Sequence, residues 1–297
     1  MHRAVLLGHP VGHSLSPAMH DAAFAAAGLE ARYEAWDVPP DALAAAVGRL
    51  RAGEVLGANV TVPHKTAVMA HLDQVSERAR AIGAVNVIRP VGGGLHGDNS
   101  DAEGFLRSLR EAGHDPGGRR VVLLGAGGAA RSVAWGLIDA GVVELGIVNR
   151  SPDAAEALAA ALRARAGERM RLWTAGREAW ARGVRAEWWI NATSVGMLRG
   201  GVDPDESPVP ASAWSEVVTR HAEEGWPEAP LAVDLVYRPR DTRFLRDARA
   251  AGVATLSGLG MLLHQGAVAF EAWTGRAAPL AAMRTALEAA LAGERAG

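Results

Sequence analysis

The 297-residue chain contains no cysteine, which excludes disulfides, thiolate nucleophiles, iron–sulfur clusters and cysteine-ligated zinc together. No apolar run approaches the ~20 residues that cross a bilayer. The N-terminus has no basic stretch leading into a long apolar segment, so neither a membrane span nor a secretory leader is expected and the chain reads as cytoplasmic. Net charge is nearly absent: 31 basic against 33 acidic residues leave −2, without the global field that recruits nucleic acid or anionic lipid. Any anion recognition is therefore local. The ten histidines form no paired motif such as H-E-x-x-H, and His9, His13, His20 and His264 read as capping, core or ligand-adjacent residues, so no metal is expected. Lysine is scarcest of all, because Lys65 stands alone among the 31 basic residues. Arginine keeps its proton near neutral pH, whereas lysine in a suitable environment can release it. Compositional drift also explains a lone lysine, so its neighbours decide. What is present is a globular composition, 49% hydrophobic and 22% charged, long enough for two domains.

The pattern along the chain is α/β. Strands are predicted over 3–8, 33–38 and 56–62, the last closed by Pro63, with helices over 17–28, 41–50 and 74–82. Ser16 stands as N-cap of the first helix, with Pro17 in its first turn and Gly28 at its stop. Segments 84–89 and 95–99 flank Gly92-Gly93-Gly94 and predict a hairpin. A helix over 101–112 and a Gly/Pro-rich linker at 113–118 lead to a second unit. There the continuous apolar strand 120–125 runs into a glycine-rich turn and a helix. Strand 145–148, helix 153–165, a strand ending at Asn191, strand 231–236 and helices over 259–273 and 279–291 follow. Segment 199–230, with seven acidic residues and five prolines, reads as an exposed insertion rather than core.

Gly125-Ala126-Gly127-Gly128-Ala129-Ala130 sits where a buried-type strand gives way to a helix. Gly125 permits the tight turn, Gly127 lets the backbone approach a pyrophosphate, and Ala130 keeps the helix close to the strand, which is the dinucleotide fingerprint in its βαβ setting. An NAD enzyme usually ends the next strand with an acidic residue for the ribose 2′-hydroxyl, but Asn149-Arg150-Ser151 stands here. The Arg150 guanidinium suits a 2′-phosphate, its flat face suits adenine, and Ser151 adds a hydroxyl, so NADP is expected. A solvated arginine after a strand is the plainer alternative. In the N-terminal unit, Ser14 and Ser16 can point two hydroxyls the same way at a helix N-terminus, a seat for a carboxylate. Capping alone explains Ser16 and leaves Ser14 unexplained. Asn59, Thr61 and Lys65 follow one another off the third strand, and 97–101 closes the same half, with polar groups at strand ends where open α/β sheets bind ligands.

Eight ordered motifs now carry a resemblance: Gly8-His-Pro-Val-Gly-His-Ser14-Leu-Ser16, Gly57-Ala-Asn59-Val-Thr61-Val-Pro-His-Lys65, Gly83-Ala-Val-Asn86, Gly97-Asp-Asn-Ser-Asp101, the fingerprint through Arg131, Asn191-Ala-Thr193-Ser-Val-Gly-Met197, Asp234-Leu-Val-Tyr237 and Gly258-Leu-Gly-Met261-Leu-Leu-His-Gln265. Over nearly its whole length the chain resembles the shikimate dehydrogenase family. The resemblance implies reversible, NADPH-linked reduction of 3-dehydroshikimate to shikimate on the route to chorismate and aromatic amino acids. It implies an N-terminal α/β substrate domain, 1–101 with 258–297, a Rossmann-type dinucleotide-binding domain, 102–257, and a cleft between them. Lys65 and Asp101 match the family's catalytic pair, and Ser14 and Ser16 its substrate-carboxylate hydroxyls. Asn59, Thr61, Asn86, Asp101 and Gln265 match groups around the ring hydroxyls, and Tyr237 a substrate-side tyrosine. Gly125, Ala126, Gly127, Gly128, Ala129, Asn149, Arg150, Ser151, Thr193, Met197, Val236 and Gly258 match the cofactor side. Ala154 and Ala155 stand where relatives often carry a further basic residue, Ser100 replaces a usual threonine, and 199–230 matches no family role. Chemically, ketone reduction builds an alkoxide that needs a proton and a positive charge, both of which Lys65 can supply while Asp101 holds it. A quinate-accepting or NAD-using relative, a non-catalytic NADP or metabolite sensor, the choice between monomer and homodimer, and which member of the pair carries the mobile proton stay open at this level.

Overall fold

The computed structural model describes residues 2–12, 14–52, 55–168, 170–177, 181, 185–198 and 203–293, and the chain divides into two compact units, residues 1–105 with 261–297 and residues 106–260. The first unit opens with β1 (His2–Gly8), α1 (Ser16–Ala26), β2 (Ala31–Asp37), α2 (Leu43–Ala52) and β3 (Val55–Val60). β1 lies between β2 and β3 and is parallel to both. Its residues Ala4 to Leu7 are buried, as a central strand covered on both faces demands. Next come β4 (Gln74–Val75), α3 (Glu77–Ile82), β5 (Val87–Val91), β6 (Gly94–Asp98) and α4 (Asp101–Glu111), and the sheet order is β2-β1-β3-β5-β6-β4. The hairpin joining β5 to β6 turns on Gly92 and Gly93, with φ of 57° and 83°. Two consecutive positive φ values are what a tight two-residue hairpin turn requires and what glycine supplies.

The second unit contains β7 (Arg120–Leu124), α5 (Gly128–Asp139), β8 (Glu144–Asn149), α6 (Pro152–Ala166), β9 (Arg171–Gly176), β10 (Trp188–Asn191), α7 (Ser212–Glu224), β11 (Leu231–Asp234), α8 (Arg243–Ala250) and β12 (Ala254–Ser257). Its strands pair in parallel in the order β12-β11-β10-β7-β8-β9. This is the doubly wound Rossmann arrangement. The chain winds from β7 outward to β9 and then returns to β10 on the other side of β7, so the order reverses at the carboxyl ends of β7 and β10, where such sheets bind ligands. The chain then re-enters the first unit through α9 (Leu259–Thr274) and closes with α10 (Leu280–Gly293), with Phe270 against Phe24 of α1 at 5.7 Å. Among the described residues no helix is long and apolar enough to cross a membrane.

Several expectations need correction. The helix expected over 74–82 begins only at Glu77, because Gln74 and Val75 pair with His96 and Gly97 as β4 and the Ser76 side chain caps the helix by accepting from the Ala79 N–H at 3.0 Å. Strand β9, helix α8 and strand β12 were not anticipated, since each is short and its apolar face becomes visible only against a neighbour. The largest correction concerns 199–230, of which 199–202 lie outside the described residues. This segment is not a surface insertion: α7 buries Ala213, Trp214 and Val217 in the core of the second unit, with Trp214 fully buried between Trp189 and Phe244. The acidic count hid an amphipathic helix whose apolar residues recur at helical spacing on one face. Trp214→Ala is therefore expected to cost about 3–5 kcal/mol, seen as a lower denaturant midpoint, whereas Glu216→Ala on the exposed face should cost less than ~0.5 kcal/mol. A Trp214→Ala protein as stable as the parent would return this segment to the surface.

Candidate active site

In the first unit, the loop after β3 and the start of α4 bring Lys65 and Asp101 together. Lys65 Nζ donates to Asp101 Oδ2 at 2.5 Å, with 15% and 4% of the two side chains exposed. Both backbones are pinned. The Lys65 carbonyl accepts from the Val85 N–H at 2.7 Å, and the Asp101 N–H donates to Asn99 Oδ1 at 3.0 Å, Asn99 itself being tied to the Ala84 carbonyl. Asp101 Oδ1 accepts from Asn86 Nδ2 at 2.8 Å, while Asn86 Oδ1 accepts from the Ser100 N–H at 2.7 Å. The same Asn86 amide nitrogen lies 3.0 Å from Ser100 Oγ and 3.4 Å from Gln265 Oε1 of α9. Lys65, Asp101, Asn86, Gln265 and Ser100 thus form one network.

Asn59, near the end of β3, joins it from the other side. Its Nδ2 donates to the Asn86 carbonyl at 3.1 Å, and its Oδ1 accepts from the Tyr33 hydroxyl at 2.8 Å. With both ends of the amide engaged its orientation is set, leaving one N–H to offer. Tyr33 on β2 escaped the sequence reading; a buried strand tyrosine was the signal, since its hydroxyl needs a partner. Behind it lies His20 of α1, its ring stacked on Tyr33 at 4.5 Å and 6° and tilted against Trp273 at 5.2 Å. Neither His20 nitrogen has a hydrogen-bond partner among the described residues, and burial lowers its pKa to about 3, so the imidazole is neutral. His20 is a core residue, His9 faces Asp37 at 2.9 Å at the surface, and His13 lies outside the described residues.

The loop after β1 carries Ser14 and runs into Ser16 at the start of α1, whose N-cap is Leu15 with no side-chain cap bond, contrary to expectation. Ser16 is not the N-cap: it lies inside the first turn of α1, after Leu15, and it is Ser14 Oγ that accepts from the Ser16 N–H at 3.2 Å. Ser14 keeps its hydroxyl hydrogen to donate, and the Ser16 hydroxyl has no partner among the described residues. Thr61 continues β3 beside this loop, its N–H donating to the Leu7 carbonyl at 2.8 Å. Gly8 makes that approach possible, because a Cβ there would come within 2.3 Å of the Thr61 methyl.

In the second unit, the fingerprint opens α5 at the carboxyl end of β7. Gly125 has φ +115°, and a Cβ on it would press on the Ala192 backbone at 3.1 Å. Gly127 differs: it is exposed, and no atom lies within 4 Å of where its Cβ would be. Protein packing therefore does not explain glycine there, and the bare backbone beside Ala126, Gly128 and Ala129 leaves room for a phosphate group to approach the helix N-terminus. At the end of β8, Asn149 Nδ2 donates to the Ser151 carbonyl at 3.0 Å and Ser151 caps α6. Arg150 is exposed, and its guanidinium has no ion-pair or hydrogen-bond partner among the described residues. These residues fit a 2′-phosphorylated dinucleotide. Thr193 and Met197 lie in the turn after β10, and Val236 and Tyr237 in the loop after β11. Gly258 follows β12, where a Cβ would collide with the Leu235 carbonyl at 2.2 Å. Asn191, Asp234 and Thr242, given no role from the sequence, prove to be buried and bonded to these turns.

A doubly wound dinucleotide fold, joined in one chain to an α/β unit with a partly buried lysine–aspartate pair, defines a nicotinamide-nucleotide oxidoreductase. Family models agree: the shikimate dehydrogenase substrate binding domain matches residues 6–88, shikimate / quinate 5-dehydrogenase residues 109–175, and the shikimate 5′-dehydrogenase C-terminal domain residues 258–288. The shikimate dehydrogenase (NADP(+)) of Symbiobacterium thermophilum is 49% identical over 292 residues, 97% of this chain and 94% of its own. Shikimate 5-dehydrogenase from Thermus thermophilus, solved in complex with NADP(H) and shikimate, matches with a TM-score of 0.83 at 43% identity, covering 98% of this chain and 100% of that one. The ligand-free 5-ketofructose reductase of a Gluconobacter species matches at 0.79 and 36%, covering 97% and 98%. The chain belongs to the shikimate dehydrogenase family.

The neutral His20 behind Asn59 gives the first unit an acid sensitivity. Its folded pKa of about 3 lies below the ordinary 6.5, so its stabilising contribution is complete above pH 6.5 and erodes as pH falls, because only the unfolded chain takes up the proton. His20→Phe, which keeps a ring on Tyr33, should flatten the loss of stability over this window by at most about 1.4 kcal/mol per pH unit. Chemical denaturation at several pH values measures it; identical pH slopes for the two proteins would contradict the neutral assignment.

Proposed function

We propose that this chain catalyses the reversible NADPH-dependent reduction of 3-dehydroshikimate to shikimate, with Lys65 and Asp101 as the catalytic pair. The observation that carries the assignment is the 2.5 Å contact between Lys65 Nζ and Asp101 Oδ2, framed by Asn86 and Gln265. When bound, NADPH supplies a hydride to the ketone carbon, leaving negative charge on the oxygen. Lys65 meets that oxygen with an ammonium and gives it a proton, so that the ketone gains one hydride and one proton. Asp101 holds the ammonium at one place, and in the reverse direction the pair receives the hydroxyl proton. Asn86, Asn59, Thr61 and Gln265 supply donors and acceptors for the ring hydroxyls, and Tyr237 adds a substrate-side hydroxyl. Ser14 and Ser16, with unspent hydroxyl hydrogens beside the N-terminus of α1, suit a carboxylate. That seat favours a carboxylated substrate over a neutral ketose such as 5-ketofructose. On the cofactor side, Gly125 to Ala129 take the pyrophosphate, Asn149, Arg150 and Ser151 the 2′-phosphate end, and the turns bearing Thr193, Met197, Val236 and Gly258 the nicotinamide end.

Two substitutions test the assignment. Lys65→Arg keeps the charge but cannot release a proton near neutral pH, so turnover should fall by at least ~10²-fold while NADP affinity is retained. Near-native turnover would remove Lys65 from proton transfer. Arg150→Ala should weaken NADP binding far more than NAD binding, about tenfold or more for a lost charge-assisted contact to phosphate; equal loss for both cofactors in titration would refute the 2′-phosphate role.

A further inference from the structure

The two turns assigned to the nicotinamide end are fastened to each other by a buried carboxylate. β10 and β11 pair in parallel, and their last partners, Asn191 and Asp234, are both completely buried. Asn191 Nδ2 donates to Asp234 Oδ1 at 2.9 Å. From there the bonds run in two directions. Asn191 Oδ1 accepts from the Thr193 N–H at 3.0 Å and the Thr193 hydroxyl at 2.6 Å, and Thr193 Oγ1 accepts from the Val195 N–H at 3.1 Å, which shapes the turn leading to Met197. Asp234 Oδ1 also accepts from the Val236 N–H at 2.9 Å, and its Oδ2 accepts from the Thr242 hydroxyl at 2.6 Å, which shapes the loop bearing Val236 and Tyr237. Two backbone bonds, Leu235 N–H to the Asn191 carbonyl at 2.9 Å and Leu198 N–H to the Arg238 carbonyl at 2.8 Å, tie the turns at either end.

Three of these contacts donate to Asp234, from the Asn191 amide, the Val236 N–H and the Thr242 hydroxyl, and none of the three is cationic. Burial raises its carboxyl to about 7 although Thr242, the Val236 N–H and Asn191 pull the other way. A charge-bearing group without a countercharge costs stability in a core where an apolar side chain would not. Its return is directional: an acceptor of three bonds, lying between two turns, sets both against one another. The Thr193 hydroxyl has its hydrogen committed to Asn191 at 2.6 Å, so it serves the shape of the turn.

We propose that Asp234, with Thr242 and Asn191, is a positioning residue for the nicotinamide end of the cofactor, holding the turn 192–197 against the loop 235–242. This rests on the cofactor reading above, and the experiment separates the two. Asp234→Asn, Thr242→Val and Thr242→Ser are compared with the parent by titrating NADP and adenosine 2′,5′-bisphosphate, which lacks the nicotinamide half, alongside turnover with shikimate. Asp234→Asn and Thr242→Val should weaken NADP about tenfold and lower turnover, while the bisphosphate binds as tightly as before. Thr242→Ser, which keeps the hydroxyl, should restore NADP binding. Equal weakening of both ligands, or unchanged NADP binding with only lower thermal stability, would overturn the proposal. If Asp234→Asn does not fold, the Thr242 pair decides by the same criteria. A parent protein that binds neither ligand would instead defeat the cofactor reading itself.

Discussion

A carboxylate nearly withdrawn from water must be met by donors, and at Asp101 the first unit is arranged around that requirement. One oxygen takes the Lys65 ammonium and the other takes the Asn86 amide. Asn86 can serve only because its own carbonyl end is held by the Ser100 N–H and its backbone carbonyl accepts from Asn59 and from Val60. Asn59 is oriented in turn by Tyr33, and Tyr33 by the ring of a neutral histidine. Each partner answers the demand of the one before it, so a single buried charge propagates order from α4 through β3 to β2 and α1. A half-satisfied version of such a network would be worse than an apolar core.

The same physics recurs in the second unit with a different purpose. Among the described residues Asp234 is met by neutral donors, and it organises two turns. The contrast follows from what faces each carboxylate. Asp101 is met by a lysine, which carries both a charge and a proton, whereas Asp234 is met by an amide, a hydroxyl and a backbone N–H, which hold shape. The parallel sheet makes this economical, because Asn191 and Asp234 are register partners at the ends of adjacent strands and two loops leave from the point where they meet.

Much of this was legible in the chain. The fingerprint could be read because its requirements are local: a positive φ at Gly125, and an open approach at Gly127 that no packing explains. The hairpin at Gly92 and Gly93 was readable for the same reason. The lone lysine and the order of eight motifs singled out Lys65 and Asp101. The reading failed where a residue's role depends on what lies across from it. An acidic stretch looked like surface until α7 turned Trp214 inward, and Ser16 looked like a cap although Ser14 accepts the bond.

By itself, then, the sequence determined the α/β alternation, the dinucleotide turn and the family, all of which are written in short stretches of backbone preference and in ordered motifs. Only the tertiary structure decided that Tyr33 orients Asn59, that His20 is neutral, that Trp214 is core and that Asp234 fastens two turns. Those facts depend on strand register and on burial. Hydrogen-bond direction and desolvation are properties of the space between elements, and no single segment of chain encodes them.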